Sequence, residues 1–312
     1  MLLGGWVDLD MDDITRVTWL KKSPIKHGWI KAILFFICFL SFGFIFHLIL
    51  TIFGGQIIIR VLRVLDLFSG AKWYYREWVT IALTNPISTL FWVWIFHKII
   101  NKQSFFSLGF QFSGYKDDFI SGVFLGLGII GLGFGTLYVF NLLSVESIQF
   151  SLNNHLLYIF VFFLIAVGEE ASIRGFILKN LSSSFNKYIA LVLSSLAYVY
   201  IQINIGITGL DLNMIAAIGI VSLLNLFLFG ILLGLYCIYR NNLWFPIGMN
   251  FSWNYLKGPV CNFWNYHPGM NTIFIHNLKA SEFENSILLT TLIAVGIVIV
   301  HKRYNSNNRI IM

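Results

Sequence analysis

The chain has 312 residues, 57% hydrophobic and only 11% charged. A soluble domain carries about a quarter charged residues, so an ordinary soluble domain is excluded, and the apolar residues come in long blocks suited to lipid. The net charge of +7 calls for no nucleic-acid partner, because lysine and arginine gather at the ends of those blocks, as the positive-inside bias requires.

About eight spans follow, each near the roughly 20 residues a bilayer core demands. They run over approximately 32–54, 78–98, 119–142, 155–180, 188–204, 213–238, 243–257 and 285–301. The predicted fold is an all-α polytopic bundle. Residues 1–118 give an N-terminal segment with two spans, 119–260 the membrane core, and 261–312 an external loop, the last span and a basic tail. No cleavable signal sequence is expected, since mixed polar residues precede the first apolar block. The basic residues Lys21, Lys22, Lys26 and Lys31 place the N-terminus in the cytoplasm, and Lys302, Arg303 and Arg309 place the C-terminus there too. The segment 55–77 is predicted outside yet carries Arg60, Arg63, Lys72 and Arg76, which reads as an amphipathic surface helix or a misassigned span.

Small-residue pairs recur at four-residue spacing: Gly122 with Gly126, Gly131 with Gly135, and Gly230 with Gly234. Each pair shares a helix face and is expected to let a neighbouring backbone approach. Three cysteines, Cys38, Cys237 and Cys261, are too scattered for a disulfide framework or a zinc knuckle. The acidic run Asp8 to Asp13 lacks the turn glycine and terminal glutamate of a calcium loop.

The densest chemistry follows the apolar run 158–167, at Glu169, Glu170 and Arg174. Ionisable side chains at bilayer depth cost several kcal/mol and face one another or a polar cavity. On a helix, Glu170 and Arg174 stand one turn apart and can pair, while Glu169 points about 100° away. One reading is a carboxylate held by arginine beside a second poised as a base; the other is a salt bridge near the headgroups. Further on, Tyr198 and Gln202 share a helix face, and Pro246 opens a helix on which Asn250 and Asn254 share another. Amides in apolar helices also serve simply to join helices.

Taken together, these three segments resemble the CAAX prenyl protease and bacteriocin-processing family of intramembrane peptidases, also called CPBP or Abi. The family pattern is E-E-x-x-x-R, then F-x-x-x-H, then H-x-x-x-N. The first part is complete here and is followed by Gly175. The frame Leu243-Trp244, Pro246-Ile247-Gly248, Trp253-Asn254 and Gly258-Pro259 also fits. The resemblance implies Glu169 as the base that activates water and Glu170 with Arg174 as its scaffold. It further implies Asn254 as an oxyanion donor, and a substrate that is a peptide or a lipid-anchored protein in a lipid bilayer.

Three positions depart from the pattern. Tyr198 stands for the phenylalanine, and both motif histidines are amides, Gln202 and Asn250. Gln202 cannot relay a proton, whereas Asn250 can still donate a hydrogen bond. Zinc binds imidazole, thiolate or carboxylate, so no metal and no other cofactor is expected. His267 satisfies part of the motif by chance, but Pro268 and Gly269 break the helix that would align it. The residues therefore favour reduced or lost peptidase activity, with a silent scaffold or bacteriocin self-immunity protein as the alternative. A transporter is disfavoured by the lack of an inverted repeat. At 1.5 Å per residue, Glu169 lies about 21 Å from the outer start of its span and Asn250 about 10 Å from its inner start. These depths agree. Gln202, at about 21 Å from the inner face, agrees only if its helix starts late or tilts.

Overall fold

The computed structural model describes residues 23–64, 73–206, 219–263, 272–276 and 283–305. The acidic run Asp8 to Asp13, His267 and the segment 65–72 lie outside the described residues. The described residues form a helical membrane bundle with one small β-ribbon.

The first predicted span is an irregular helix. Helix α1 (Gly28–Cys38), α2 (Phe44–Ile49) and α3 (Gly55–Val64) are joined by π-helical turns at Phe39–Gly43 and Leu50–Gly54. Residues 55–64 of the ambiguous basic segment are thus helical, with Gln56, Ile57, Arg60 and Val61 exposed and Gly55 buried. Helix α4 (Trp73–Ile99) carries Pro86 in its interior. Next come α5 (Lys116–Val139) and α6 (Leu152–Glu170). Helix α6 runs on through an eight-residue π segment, Ala171–Leu178, into α7 (Lys179–Ser182). The rest of the bundle is α8 (Lys187–Gly206), α9 (Ile220–Arg240), α10 (Trp244–Tyr255) with a π turn at Leu256–Val260, and α11 (Ile287–Asn305). Strands β1 (Val145–Ile148) and β2 (Phe274–His276) pair antiparallel.

Among the described residues, five helical stretches are long and apolar enough to cross a membrane: Trp78–Ile99, Lys116–Val139, Leu152–Ser182, Ile220–Arg240 and Ile287–Asn305. The other three predicted spans fall on α1–α2, on α8, whose apolar stretch Lys187–Ile203 is shorter, and on the 12-residue α10. For α10 the reason is its surroundings. Phe245 to Asn250, Ser252 and Trp253 are all buried, so protein rather than lipid covers it. A helix enclosed by its neighbours need not match the bilayer thickness, because its backbone is satisfied wherever it ends.

The glycine pairs divide. A Cβ at Gly122 would strike the Phe245 carbonyl, one at Gly126 the Ser252 hydroxyl, and one at Gly248 the Phe119 carbonyl. These three form a reciprocal seam between α5 and α10. Gly230 and Gly234 likewise admit Ser195 and Leu191 of α8 against α9. The expectation fails among the described residues for Gly131 and Gly135, where none of them lies within 4 Å. Their face is turned outward, and spacing alone cannot say which face of a helix meets a neighbour.

One end of the bundle collects the basic loops. Ser23 donates to the Ile100 carbonyl at 2.7 Å, Gly28 N–H to Ser184 Oγ at 2.8 Å, and Lys179 Nζ to the Ser107 carbonyl at 2.7 Å. There, buried Asp118 ties three helices together. Tyr236 and Tyr304 donate to its two oxygens at 2.8 and 2.9 Å, and Arg240 sits 3.3 Å away. The opposite end holds the β-ribbon, the Lys257–Glu284 ion pair at 2.6 Å, and His155, whose Nδ1 meets the Tyr255 hydroxyl at 3.1 Å.

Candidate active site

Glu169 and Glu170 are the last two residues of regular α-helix before the chain widens into the π segment. The backbone comes close here for a stated reason. Gly168 packs on Pro86, where a Cβ would sit 3.2 Å from the proline ring, so α6 crosses α4 next to the carboxylates. All eight residues of the π segment are buried.

Glu170 is fully buried, and Arg174 Nη1 donates to its Oε1 at 2.9 Å. The guanidinium is held on two more sides: it lies 4.5 Å from the centre of the Tyr198 ring, and Nη2 reaches the Gly230 carbonyl at 3.5 Å. The expected pairing of Glu170 with Arg174 is present.

Glu169, by contrast, has partners that its own helix does not reveal. Gln202 Nε2 and Asn250 Nδ2 each donate to Glu169 Oε2 at 3.0 Å. The same Asn250 nitrogen donates to Glu170 Oε1 at 2.7 Å. Asn254 Nδ2 in turn donates to Asn250 Oδ1 at 2.6 Å. All six candidate residues thus stand in one hydrogen-bonded cluster built by α6, its π extension, α8 and α10. Asn250 is buried, while Glu169, Gln202 and Asn254 are each partly exposed.

An amide NH2 carries two hydrogens. In Asn250 both point at carboxylates, and its oxygen is taken by Asn254. Both of its donors are therefore committed, and the side chain bridges the two carboxylates. Glu170 Oε2 is buried and lacks a hydrogen-bond partner among the described residues, an acceptor suited to an ordered water. The Gln202 bond also resolves the depth mismatch. A residue about 22 Å along α8 and one about 9 Å along α10 meet the same oxygen, so these helices start at different levels or are mutually inclined.

The remaining described histidine side chains have other contacts. His97 Nε2 pairs with Ser107 Oγ at 2.7 Å, His276 Nε2 with the Cys261 carbonyl at 2.6 Å, and His301 Nδ1 with the Tyr239 hydroxyl at 2.7 Å. His155 lies 14 residues up the helix from Glu169, about 21 Å away. Among the described residues no group of three His, Cys, Asp or Glu side chains is placed to hold a metal ion. Sequence reasoning missed the Gly230 carbonyl and the packing of Phe229 on Trp253, with ring centres 4.4 Å apart. The sequence signals for Gly230 were its four-residue spacing from Gly234 and the resemblance of the stretch Leu223 to Gly234 to the family's texture.

Residues 151–256 match the family model described as type II CAAX prenyl endopeptidase Rce1-like. The matched stretch opens at the N-cap of α6, closes at the end of α10, and contains all six clustered residues. By this match the stretch 151–256 is similar to the CAAX-protease family. No curated protein and no solved structure matches the chain.

Proposed function

We propose that the protein is an intramembrane endopeptidase-like protein with reduced or lost peptidase activity, whose site engages a peptide or a lipid-anchored protein. The observation that carries this reading is the commitment of the Asn250 amide hydrogens to Glu169 and Glu170. In a hydrolytic step, Glu169 takes a proton from water as the water oxygen bonds the scissile carbonyl carbon. It returns that proton to the leaving nitrogen as the C–N bond breaks. The chain keeps this carboxylate but offers no histidine beside it, since Gln202 and Asn250 are amides and Glu170 is paired with Arg174. The transition-state oxygen needs donors placed in advance. Asn250 can serve only by releasing a carboxylate, which leaves Asn254 and Gln202 with unused amide hydrogens.

A silent relative, acting as a scaffold or in bacteriocin self-immunity, is the second reading, favoured by the same closed hydrogen-bond set. For topology we place the N- and C-termini in the cytoplasm of a cell membrane. In support, Lys98, Lys116, Lys179, Arg240 and Lys302 belong to the basic end of the bundle.

The decisive experiment measures peptide cleavage by purified protein, by Glu169→Ala, and by the double variant Gln202→His/Asn250→His. Restored acid–base groups are worth about 10²–10⁴-fold. The double variant should therefore gain cleavage over the native chain, and lose it again on adding Glu169→Ala. Glu169-dependent cleavage by the native chain at the rate of the double variant would overturn the reduced-activity reading. A folded but inert double variant would favour the silent one.

A further inference from the structure

A second feature lies away from the carboxylates. At the basic end, a cleft of about 350 Å³ opens between α5 and α11. Its floor is Phe245, Val300 and Tyr304, all buried, and its walls are Ile120 and Phe124 on one side and Ile299 on the other. The walls are apolar yet exposed: Phe124 is 65% accessible, Ile120 50% and Ile299 46%. Arg303 closes the end of the cleft nearest the basic loops, its guanidinium 5.4 Å from the centre of the Tyr304 ring. The apolar wall continues inward from Arg303 to exposed Val295, eight residues or about 12 Å along the helix.

Among the described residues, the exposed charge around the mouth is mostly positive. Lys302 and Arg303 are exposed on α11, and Lys116 is exposed one turn before Ile120. Against them stand Asp117, which is exposed, and Asp118, which is buried and already bound by Tyr236, Tyr304 and Arg240. A groove with hydrocarbon walls and a cationic rim, at the end of helices that cross the bilayer, matches an amphiphile with an anionic head. Basic pockets between membrane helices recognise headgroups in this way.

We propose that this cleft is a binding site for one anionic glycerophospholipid, its phosphate at Arg303 and an acyl chain along Ile120, Phe124 and Ile299. One lysine or arginine near a headgroup is worth about 1 kcal/mol, which converts to about fivefold in affinity.

Native mass spectrometry of the full chain in detergent, titrated with phosphatidylglycerol or phosphatidylcholine of identical chains, tests it. Phosphatidylglycerol should be retained about fivefold better. Arg303→Gln should erase that preference, and Arg303→Lys should keep most of it. Ile299→Trp, which fills the cleft from an exposed wall and leaves every charge in place, should weaken retention of both lipids. Lys187→Gln, an exposed cation of α8 at the same end, should change neither. Inorganic phosphate in excess should fail to displace the lipid. Equal retention of the two lipids overturns the proposal. So does an Arg303→Gln variant that behaves as the native chain, an Ile299→Trp variant that retains lipid fully, or a Lys187→Gln effect as large as that of Arg303→Gln. Displacement by phosphate alone would mean a simple anion site and also overturns it.

Discussion

At Asn250 a single amide nitrogen lies 3.0 Å from one carboxylate and 2.7 Å from another. The two glutamates therefore differ less in their partners than their helical positions suggest, but they differ in what replaces a lost neighbour. Glu170 and Arg174 are both buried, with side-chain exposures of 0% and 1%. Removing one member of such a pair leaves the other uncompensated, at a cost of about 3–5 kcal/mol. Arg174→Ala should thus lower the yield of monodisperse protein in detergent more than Glu169→Ala, since Glu169 is partly exposed and its partners are neutral amides that can turn to water. Equal losses would contradict this division. The metal expectation also belongs to single residues. Three neutral amides and two carboxylates form a poor zinc donor set, so purified protein is expected to hold no stoichiometric zinc by elemental analysis. One zinc per chain, lost on Glu169→Ala, would show otherwise.

Among the elements, α10 is the one whose position governs the site, because it carries both Asn250 and Asn254. It is seated by backbone contact: Gly248 lies on the Phe119 carbonyl, and Gly122 lies on that of Phe245. A methyl at Gly248 must displace backbone rather than a flexible side chain. Gly248→Ala should destabilise by about 1–3 kcal/mol, the usual cost of overpacking, and move Asn250 away from Glu169. Gly131→Ala, on a helix face with no described residue within 4 Å, should be neutral or slightly stabilising, because alanine is the better helix former by up to about 1 kcal/mol. Thermal unfolding of the two variants in the same detergent separates these cases; similar melting shifts would refute the seam. Spacing made both glycine pairs equally legible in the sequence. The partner backbone that distinguishes them was not legible, since it comes from over a hundred residues away.

For the molecule as a whole, Asp118 fastens the basic end, joining α5 to the ends of α9 and α11. Asp118→Ala would leave two buried phenol hydroxyls and Arg240 short of an acceptor, each unsatisfied group costing about 1–3 kcal/mol. A large drop in thermal stability is expected, with Asp118→Asn falling between it and the native chain because the amide oxygen still accepts. A melting curve of Asp118→Ala that overlays the native one would remove this role. The sequence by itself determined the membrane class, the all-helical fold, and the three segments that carry Glu169, Gln202 and Asn250. It could do so because apolar run length and four-residue spacing are local properties of the chain. Only the tertiary structure decided that α10 is enclosed rather than lipid-facing, that Gly131 and Gly135 face outward, and that Asn250 spends both hydrogens on carboxylates. Those facts depend on which helix faces meet and at what depth, and contacts between distant segments leave no trace in the spacing of either one.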